Sequence, residues 1–174
     1  MLTIRRYRES DSQQVGVLIA DTYSEFNLSE LSKKQREAML GPFLYAHSPE
    51  PSHRKAIADA LRAPSVLVAQ VDGTIVGVLR GGRVDELGRT VLQSLFVSGK
   101  HHRLGIGRKL VERFEKEYTA RGVTVFKLLA TVYAVPFYLA MGYRKSTGVR
   151  SIHSFEGAGL PSQPMKKVLK KKQA

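Results

Sequence analysis

Cysteine is absent from all 174 residues of the chain. That excludes disulfides, thiolate nucleophiles and cysteine-ligated metal, and it suits an intracellular, cytoplasmic protein. Long hydrophobic runs are absent too, so no segment is expected to span a bilayer and no membrane role is expected. The N-terminus, "MLTIRRYRESD", has basic residues with no apolar stretch behind them, so it does not read as a signal peptide. Acidic residues are scarce, 15 Asp and Glu against 28 Lys and Arg, for a net charge of +13. Such an excess suits nucleic acid, an acidic surface or an anionic, nucleotide-bearing ligand. Most of it is dispersed. The densest patch is "MKKVLKKKQA", where Lys166, Lys167, Lys170, Lys171 and Lys172 crowd together. A terminal lysine run reads first as a solvated end, so nucleic acid is the weaker reading of the charge.

What is present is an ordinary globular composition, 43% hydrophobic and 25% charged, in a length that suits one domain. "LTIRRYR" reads as a first strand. Asp11 or Ser12 then caps a helix carrying Val15, Leu18, Ile19, Thr22 and Tyr23 at helical spacing. "LSELSKKQREAMLGPFLYA" is a second helical piece broken at Gly41-Pro42, and "SPEPSHRKAIADALRAP" a third that Pro64 stops. The period then changes to two. "SVLVAQV" and "TIVGVLRG" form a hairpin at Asp72-Gly73, and "RTVLQSLFV" follows as a third strand through the loop "GRVDELG". A clean amphipathic helix carries Ile106, Leu110, Val111, Phe114 and Tyr118 as one stripe and ends at Gly122. "VTVFKLLAT" is a buried strand, "AVPFYLAMG" a short helix, and "YRKSTGVRS" and "SQPMKKVL" are the last strands. The hairpin is antiparallel and the strand–helix–strand unit from Arg89 to Thr131 is a parallel crossover. The expected fold is α/β (α+β): one mixed, mostly antiparallel sheet with helices on both faces.

The stretch "HHRLGIGRKL", His101 to Leu110, joins a strand to that helix. Gly105 and Gly107 lack Cβ atoms, so the backbone can approach a ligand closely and take positive φ. The first N–H groups of the helix have no internal partner, and the helix dipole favours an anion there. His102, Arg103, Arg108 and Lys109 add positive charge. The loop is therefore expected to hold a phosphate or pyrophosphate. It is not a Walker loop, because Arg108 and Lys109 stand where Lys and Ser or Thr belong. It lacks the third glycine of a dinucleotide fingerprint, since Leu110 holds that place. Its other reading is a tight turn with no ligand.

"HRLGIGRKL" following "LFV" resembles the acyl-CoA pyrophosphate loop of the GNAT superfamily of N-acetyltransferases, with His102 at the position usually held by Gln or Arg. "ATVYAVPFYLAMGYRK" resembles the superfamily's other signature: Ala134, Phe137-Tyr138 and Gly142-Tyr143 match, and Thr131 stands where Asn is common. The hairpin "VLVAQVDGTIVGVLRG" matches its second and third strands and "LPSQPMKKVL" its last. The resemblance covers essentially the whole chain. It implies one N-acetyltransferase domain over residues 1–169 with a basic tail at 170–174, and a sheet splayed in the middle. It implies acetyl-CoA as co-substrate, with no metal. The backbone of Leu95, Phe96 and Val97 would pair with the pantetheine arm as an added strand. His102, Arg103, Leu104, Gly105, Ile106, Gly107 and Arg108 would hold the pyrophosphate, and Thr131 would orient the cofactor or a water. Tyr138 is the catalytic candidate, a phenol that protonates or hydrogen-bonds the leaving thiolate; Tyr133 and Tyr143 are alternatives. Many relatives carry a glutamate base on the strand before the loop, and "RTVLQSLFV" has none. Gln93 or Ser94 could hold a relaying water, and Glu86, Glu25, His101 and His153 are further candidates. The acceptor pocket is expected from the helices between Asp11 and Pro64, with Tyr23, Phe26, Asn27, Phe43 and Tyr45, from the hairpin after Val84 and from "STGVRSIHSF". The implied activity is acetyl transfer to a primary amine of a small molecule or protein by direct attack in a ternary complex, in a monomer or homodimer. The alternative is a non-catalytic acyl-CoA-binding regulatory module.

Overall fold

The computed structural model describes residues 1–152 and 159–169. The basic tail, residues 170–174, and His153 lie outside the described residues. Strand β1 (Leu2–Arg6) opens the fold, and a 3-10 turn at Glu9–Asp11 leads into α1 (Ser12–Phe26). Asp11 holds that junction with its carboxylate. It accepts two hydrogen bonds from Arg5, at 2.7 and 2.9 Å, and one from the Arg8 N–H at 2.8 Å. Helices α2 (Lys33–Leu40) and α3 (Pro51–Ala60) follow. Ser32 and Gln35 form a reciprocal cap at the start of α2, and Pro51 begins α3 where its missing N–H costs nothing. Gly41-Pro42 ends α2 as expected, and the chain continues as a 3-10 turn to Tyr45.

The sheet is built from β2 (Ser65–Val71), β3 (Thr74–Val84), β4 (Arg89–Val97), β5 (Val125–Thr131), β6 (Arg144–Lys145), β7 (Arg150–Ile152) and β8 (Leu160–Val168). Its order is β1-β2-β3-β4-β5-β8-β6, with β7 also on β8. Every pairing is antiparallel except β4 with β5, the two strands joined by α4 (Ile106–Thr119). The short helix α5 (Val135–Ala140) follows β5. Val76 is the extra residue of a bulge against β2, between Ile75 opposite Gln70 and Gly77 opposite Ala69, and it resets the alternation of β3. Val76 and Leu79 therefore pack on one face and Ile75 and Val78 on the other. The first face packs under α4 and α5 with Leu110, Phe114, Phe126 and Tyr138; the second packs under α1 to α3 with Val15, Ile19, Met39 and Ile57. The expected mixed sheet with helices on both faces is thus present.

Two elements differ from expectation. Strand β3 runs to Val84, taking in Gly82, Arg83 and Val84, because β4 pairs along it as far as Thr90 opposite Val84. Gly82 makes this possible: its φ is +102°, and a Cβ there would overlap the Tyr118 phenol. "YRKSTGVRS" is two short strands, β6 and β7, each paired separately to β8.

Candidate active site

The parallel pairing of β4 with β5 covers only Arg89 to Leu92 against Val125 to Leu128. Beyond it β5 stays paired to β8 through Thr131, while β4 keeps to β3 through Val97. The two strands therefore part. A β-bulge sits at the parting: Arg80 faces Ser94 and Gly81 faces Leu92, which leaves Gln93 as the extra residue on β4. The gap opens into a cavity of about 770 Å³.

Beyond the bulge, β4 presents its backbone alternately to β3 and to the gap. Ser98 N donates to Val76 O at 2.9 Å, so the bonded pairs of this antiparallel ladder are Phe96 with Val78 and Ser94 with Arg80. The backbone groups of Phe96 point toward β3 within the sheet. Those of Leu95 and Val97 face the gap. The Val97 carbonyl already accepts a bond from His102 Nε2 at 2.8 Å. His102 thus ties the glycine loop to the end of β4, with its ring against Phe26 at 4.6 Å.

The loop takes its shape from two left-handed residues, Arg103 (φ 63°) and Gly105 (φ 75°). Gly105 begins α4, and no side chain caps the helix. Lys109 N bonds back to Gly105 O at 3.0 Å, so the N–H groups of Ile106, Gly107 and Arg108 precede the first intrahelical bond. Gly107 serves a different end. A Cβ there would lie 3.3 Å from the Phe137 ring, so its absence lets α4 close on α5. Of the loop positions expected to hold a pyrophosphate, His102, Arg103, Gly105, Ile106, Gly107 and Arg108 line the cavity. Leu104 does not; its side chain is largely exposed.

Tyr138 lines the same cavity although only 5% exposed. Its ring meets Phe137 edge-on at 5.0 Å and Tyr143 at 5.6 Å. Burial pushes its phenol well above the ordinary value of about 10. Thr131 lines the wall at the end of β5. Of the alternative tyrosines, Tyr133 borders the cavity but is largely exposed and stacks on Phe26 at 5.5 Å. Tyr143 is outside the lining, buried, with its phenol pushed up by desolvation and by the negative charge of Glu115.

The opposite side of the cavity is α1, α2 and the face of β3 and β4 that they cover. Ile19, Tyr23, Phe26, Met39, Phe43, Arg80, Ser94 and Phe96 line it. Tyr23 sits edge-on to Phe96 at 5.6 Å, and burial pushes its phenol up to about 12. Of the residues expected around an acceptor, Tyr23, Phe26, Asn27 and Phe43 are here; Tyr45 is outside, stacked on His53 at 4.4 Å. The described residues of the two other expected wall segments, the hairpin after Val84 and the stretch from Ser146 to Ser151, are also outside the lining. Among the candidate proton acceptors, Gln93, Ser94 and His101 line the cavity, His101 with a buried Nδ1 that has no partner. Glu25 and Glu86 do not line it. The described lining contains no carboxylate, and the described residues hold no cluster suited to a metal ion. Met39 and Arg80 went unmarked in the sequence, and Ile19 was read only as part of the apolar stripe of its helix. Arg80 had a signal, a charge inside the apolar run "TIVGVLRG".

A mixed sheet that parts between two parallel strands, with an uncapped helix N-terminus at the parting, defines an acetyltransferase-type α/β domain. The chain belongs to the family of the acetyltransferase (GNAT) domain, which matches residues 27–169. Its fold is similar to that of a GCN5-related N-acetyltransferase from Rhodopseudomonas palustris, with TM-score 0.74 at 21% identity over 96% of this chain and 95% of that one. It is also similar to the PaiA N-acetyltransferase of Thermoplasma acidophilum, solved in complex with coenzyme A (TM-score 0.67, 15% identity, 97% and 99% covered). A third is the ribosomal-protein-S18-alanine N-acetyltransferase of Escherichia coli (0.64, 16%, 100% and 99%). No curated protein matches the chain in sequence. No helix among the described residues is long and apolar enough to cross a membrane.

Proposed function

We propose that the protein moves an acetyl group from acetyl-CoA to a primary amine by direct attack in a ternary complex. The observation that carries this reading is one continuous cavity. It has an unpaired strand edge and an uncapped helix N-terminus at one side, a buried phenol in its wall, and a second side lying under α1 and α2. These residues fit acetyl-CoA, which supplies the thioester-activated acetyl group. The N–H groups of Ile106, Gly107 and Arg108 would bind pyrophosphate oxygens, helped by the α4 dipole and by Arg103 and Arg108. The N–H and carbonyl of Leu95 and the N–H of Val97 would bind the pantetheine amides, in the manner of an added strand. Thr131 would orient a water or the cofactor from the end of β5.

A thiol titrates near ~8.5, below even an ordinary phenol near ~10, and burial moves the Tyr138 phenol further up, so full proton transfer to the departing sulfur runs uphill. Tyr138 therefore keeps its proton and donates a hydrogen bond to the sulfur as negative charge develops there. Ser94 and Gln93, at the bulge, would hold the water that relays a proton away from the acceptor's ammonium, and the freed amine then attacks the thioester carbonyl.

The absence of a carboxylate among the described lining residues favours a second reading, a non-catalytic acyl-CoA-binding regulatory module. A panel of primary amines, small molecules and peptides, scored by free thiol release from acetyl-CoA, separates the two. Amine-dependent thiol release is the expected result. Saturable acetyl-CoA binding with no release for any amine would establish the module instead.

A further inference from the structure

The acceptor side of the cavity contains a charge with no counter-ion among the described residues. Arg80 lies on β3 directly opposite Ser94, one residue from the bulge where the sheet parts. Alternation places it on the face of Val78 and Phe96, under α1 and α3. One of its nitrogens, Nη1, donates to the carbonyl of Ala60, the last residue of α3. Its Nε is buried with no hydrogen-bond partner, and among the described residues it makes no ion pair. Burial without an anion pushes the guanidinium below its ordinary value. A half-buried, half-satisfied cation is costly, and a single helix-end carbonyl does not neutralise it. The guanidinium fork is suited to a carboxylate.

Around Arg80 the wall is mostly apolar: Ile19, Met39, Phe43 and Phe96 line it with the rings of Tyr23 and Phe26. The whole described lining holds no Asp or Glu. A polycationic acceptor would find no carboxylate among the described lining residues to pair its additional charges, and it would approach a protein of net charge +13. An acceptor with one amine, one carboxylate and an apolar body would suit both the guanidinium and the apolar side chains around it.

We infer that Arg80 selects acceptors that carry a carboxylate beside the reactive amine, making hydrophobic amino acids the substrate class. This rests on the acetyl-transfer reading. In the complex the Arg80 Nη2, which makes no hydrogen bond among the described residues, would donate to the carboxylate, while Ser94 and Gln93 serve the amine. The structural role at α3 and the recognition role are distinct, because Nη1 is used for the helix end and Nη2 is not.

The test compares α-, β- and ω-amino acids with apolar bodies, each against its own primary amide, in the wild type and in Arg80→Gln, Arg80→Met and Arg80→Lys. In the wild type kcat/KM should favour the acid over its amide by tenfold or more. Arg80→Gln and Arg80→Met should lose that preference through a rise in KM for the acid, with KM for the amide unchanged and acetyl-CoA affinity unchanged. Arg80→Lys should keep part of it. If Arg80 serves only α3, the thermal midpoint falls in Arg80→Gln and the acid-to-amide ratio stays where it was, which overturns the proposal. A wild type with no preference for acids overturns it as well. Should no amine be acetylated, the acetyl-transfer reading fails, and recognition is then read by titration calorimetry of the same amino acids onto CoA-saturated protein. Binding lost in Arg80→Gln supports Arg80; no binding to the wild type rules it out. Should Arg80→Gln and Arg80→Met fail to fold, the wild-type ratio and Arg80→Lys decide.

Discussion

Gly105 and Gly107 stand two residues apart, and each lacks a Cβ for its own reason. Gly105 has open space around it but a φ of 75°, a conformation that costs an L-residue about 1–2 kcal/mol. Gly107 has ordinary φ but sits against Phe137. Gly107→Val should therefore push Phe137 away and crowd the N–H groups at the start of α4. The expected loss in acetyl-CoA affinity is tenfold or more, about 1.4 kcal/mol, measured by calorimetry on protein shown by circular dichroism to be folded. An unchanged affinity would mean that the loop is only a turn. Tyr138 is the other decisive residue. Tyr138→Phe keeps the ring and its packing on Phe137 and Tyr143, and removes one hydrogen-bond donor. We expect kcat to fall roughly ten- to a thousandfold with acetyl-CoA affinity little changed. The sign of the pH effect follows from burial. A phenol raised above its ordinary value stays protonated through pH 10, so wild-type kcat should not decline from this group below that pH. Rates of Tyr138→Phe equal to wild type with a true acceptor would reduce Tyr138 to a core aromatic.

Elements were legible where their cause is local. "RTVLQSLFV" reads as β4 with the ends it has, and the stripe from Ile106 to Tyr118 reads as α4. The glycine loop, Tyr138 and the absent strand carboxylate were all visible in the string. The parting of β4 from β5 was expected only through family resemblance, and the bulge at Gln93 not at all, because both depend on which strand each residue pairs with. The extension of β3 through Gly82 to Val84 is likewise a pairing effect, overriding turn-forming residues. Arg80 was passed over because its partner, the end of α3, is twenty residues away in sequence. The junction of β1 with α1 shows the same mixture: Asp11 was legible as a helix start, but its bidentate partner Arg5 was not. Hydrogen bonding to Arg5, and then to the Arg8 backbone, holds the Asp11 carboxyl below the usual carboxylate range. Its stabilising contribution is complete above the unfolded value of ~3.9 and is lost as pH falls through the lower folded value. Asp11→Asn should cost about 1–3 kcal/mol at neutral pH, read by urea denaturation. The gap to wild type should close as pH drops below ~3.9. A gap of constant size from pH 7 downward would show that charge is not what Asp11 contributes.

At the scale of the whole molecule, the sheet is two arms joined by a short parallel ladder, Arg89 to Leu92 against Val125 to Leu128. One arm is β1 to β4 with α1 to α3 on one face; the other is β5 with β6, β7 and β8. A co-substrate lying in the gap would bond to the free edge of β4 and the start of α4 while touching α5 and the end of β5, so it would bind both arms at once. Ligand that binds only the folded chain stabilises it by about 2.7 kcal/mol at a hundred times Kd. For a chain of this size that corresponds to a rise in Tm of roughly 5–11 °C. Hydrogen exchange gives the finer test, because it separates the two sides of β4. With acetyl-CoA present, the amides of Leu95 and Val97, which face the gap, should gain protection. That of Phe96, already bonded to β3, should change little. A midpoint that rises with uniform protection across residues 94 to 97 would indicate general tightening of the fold. Protection confined to Leu95 and Val97 would place the co-substrate along the strand edge, as the alternation of the ladder requires.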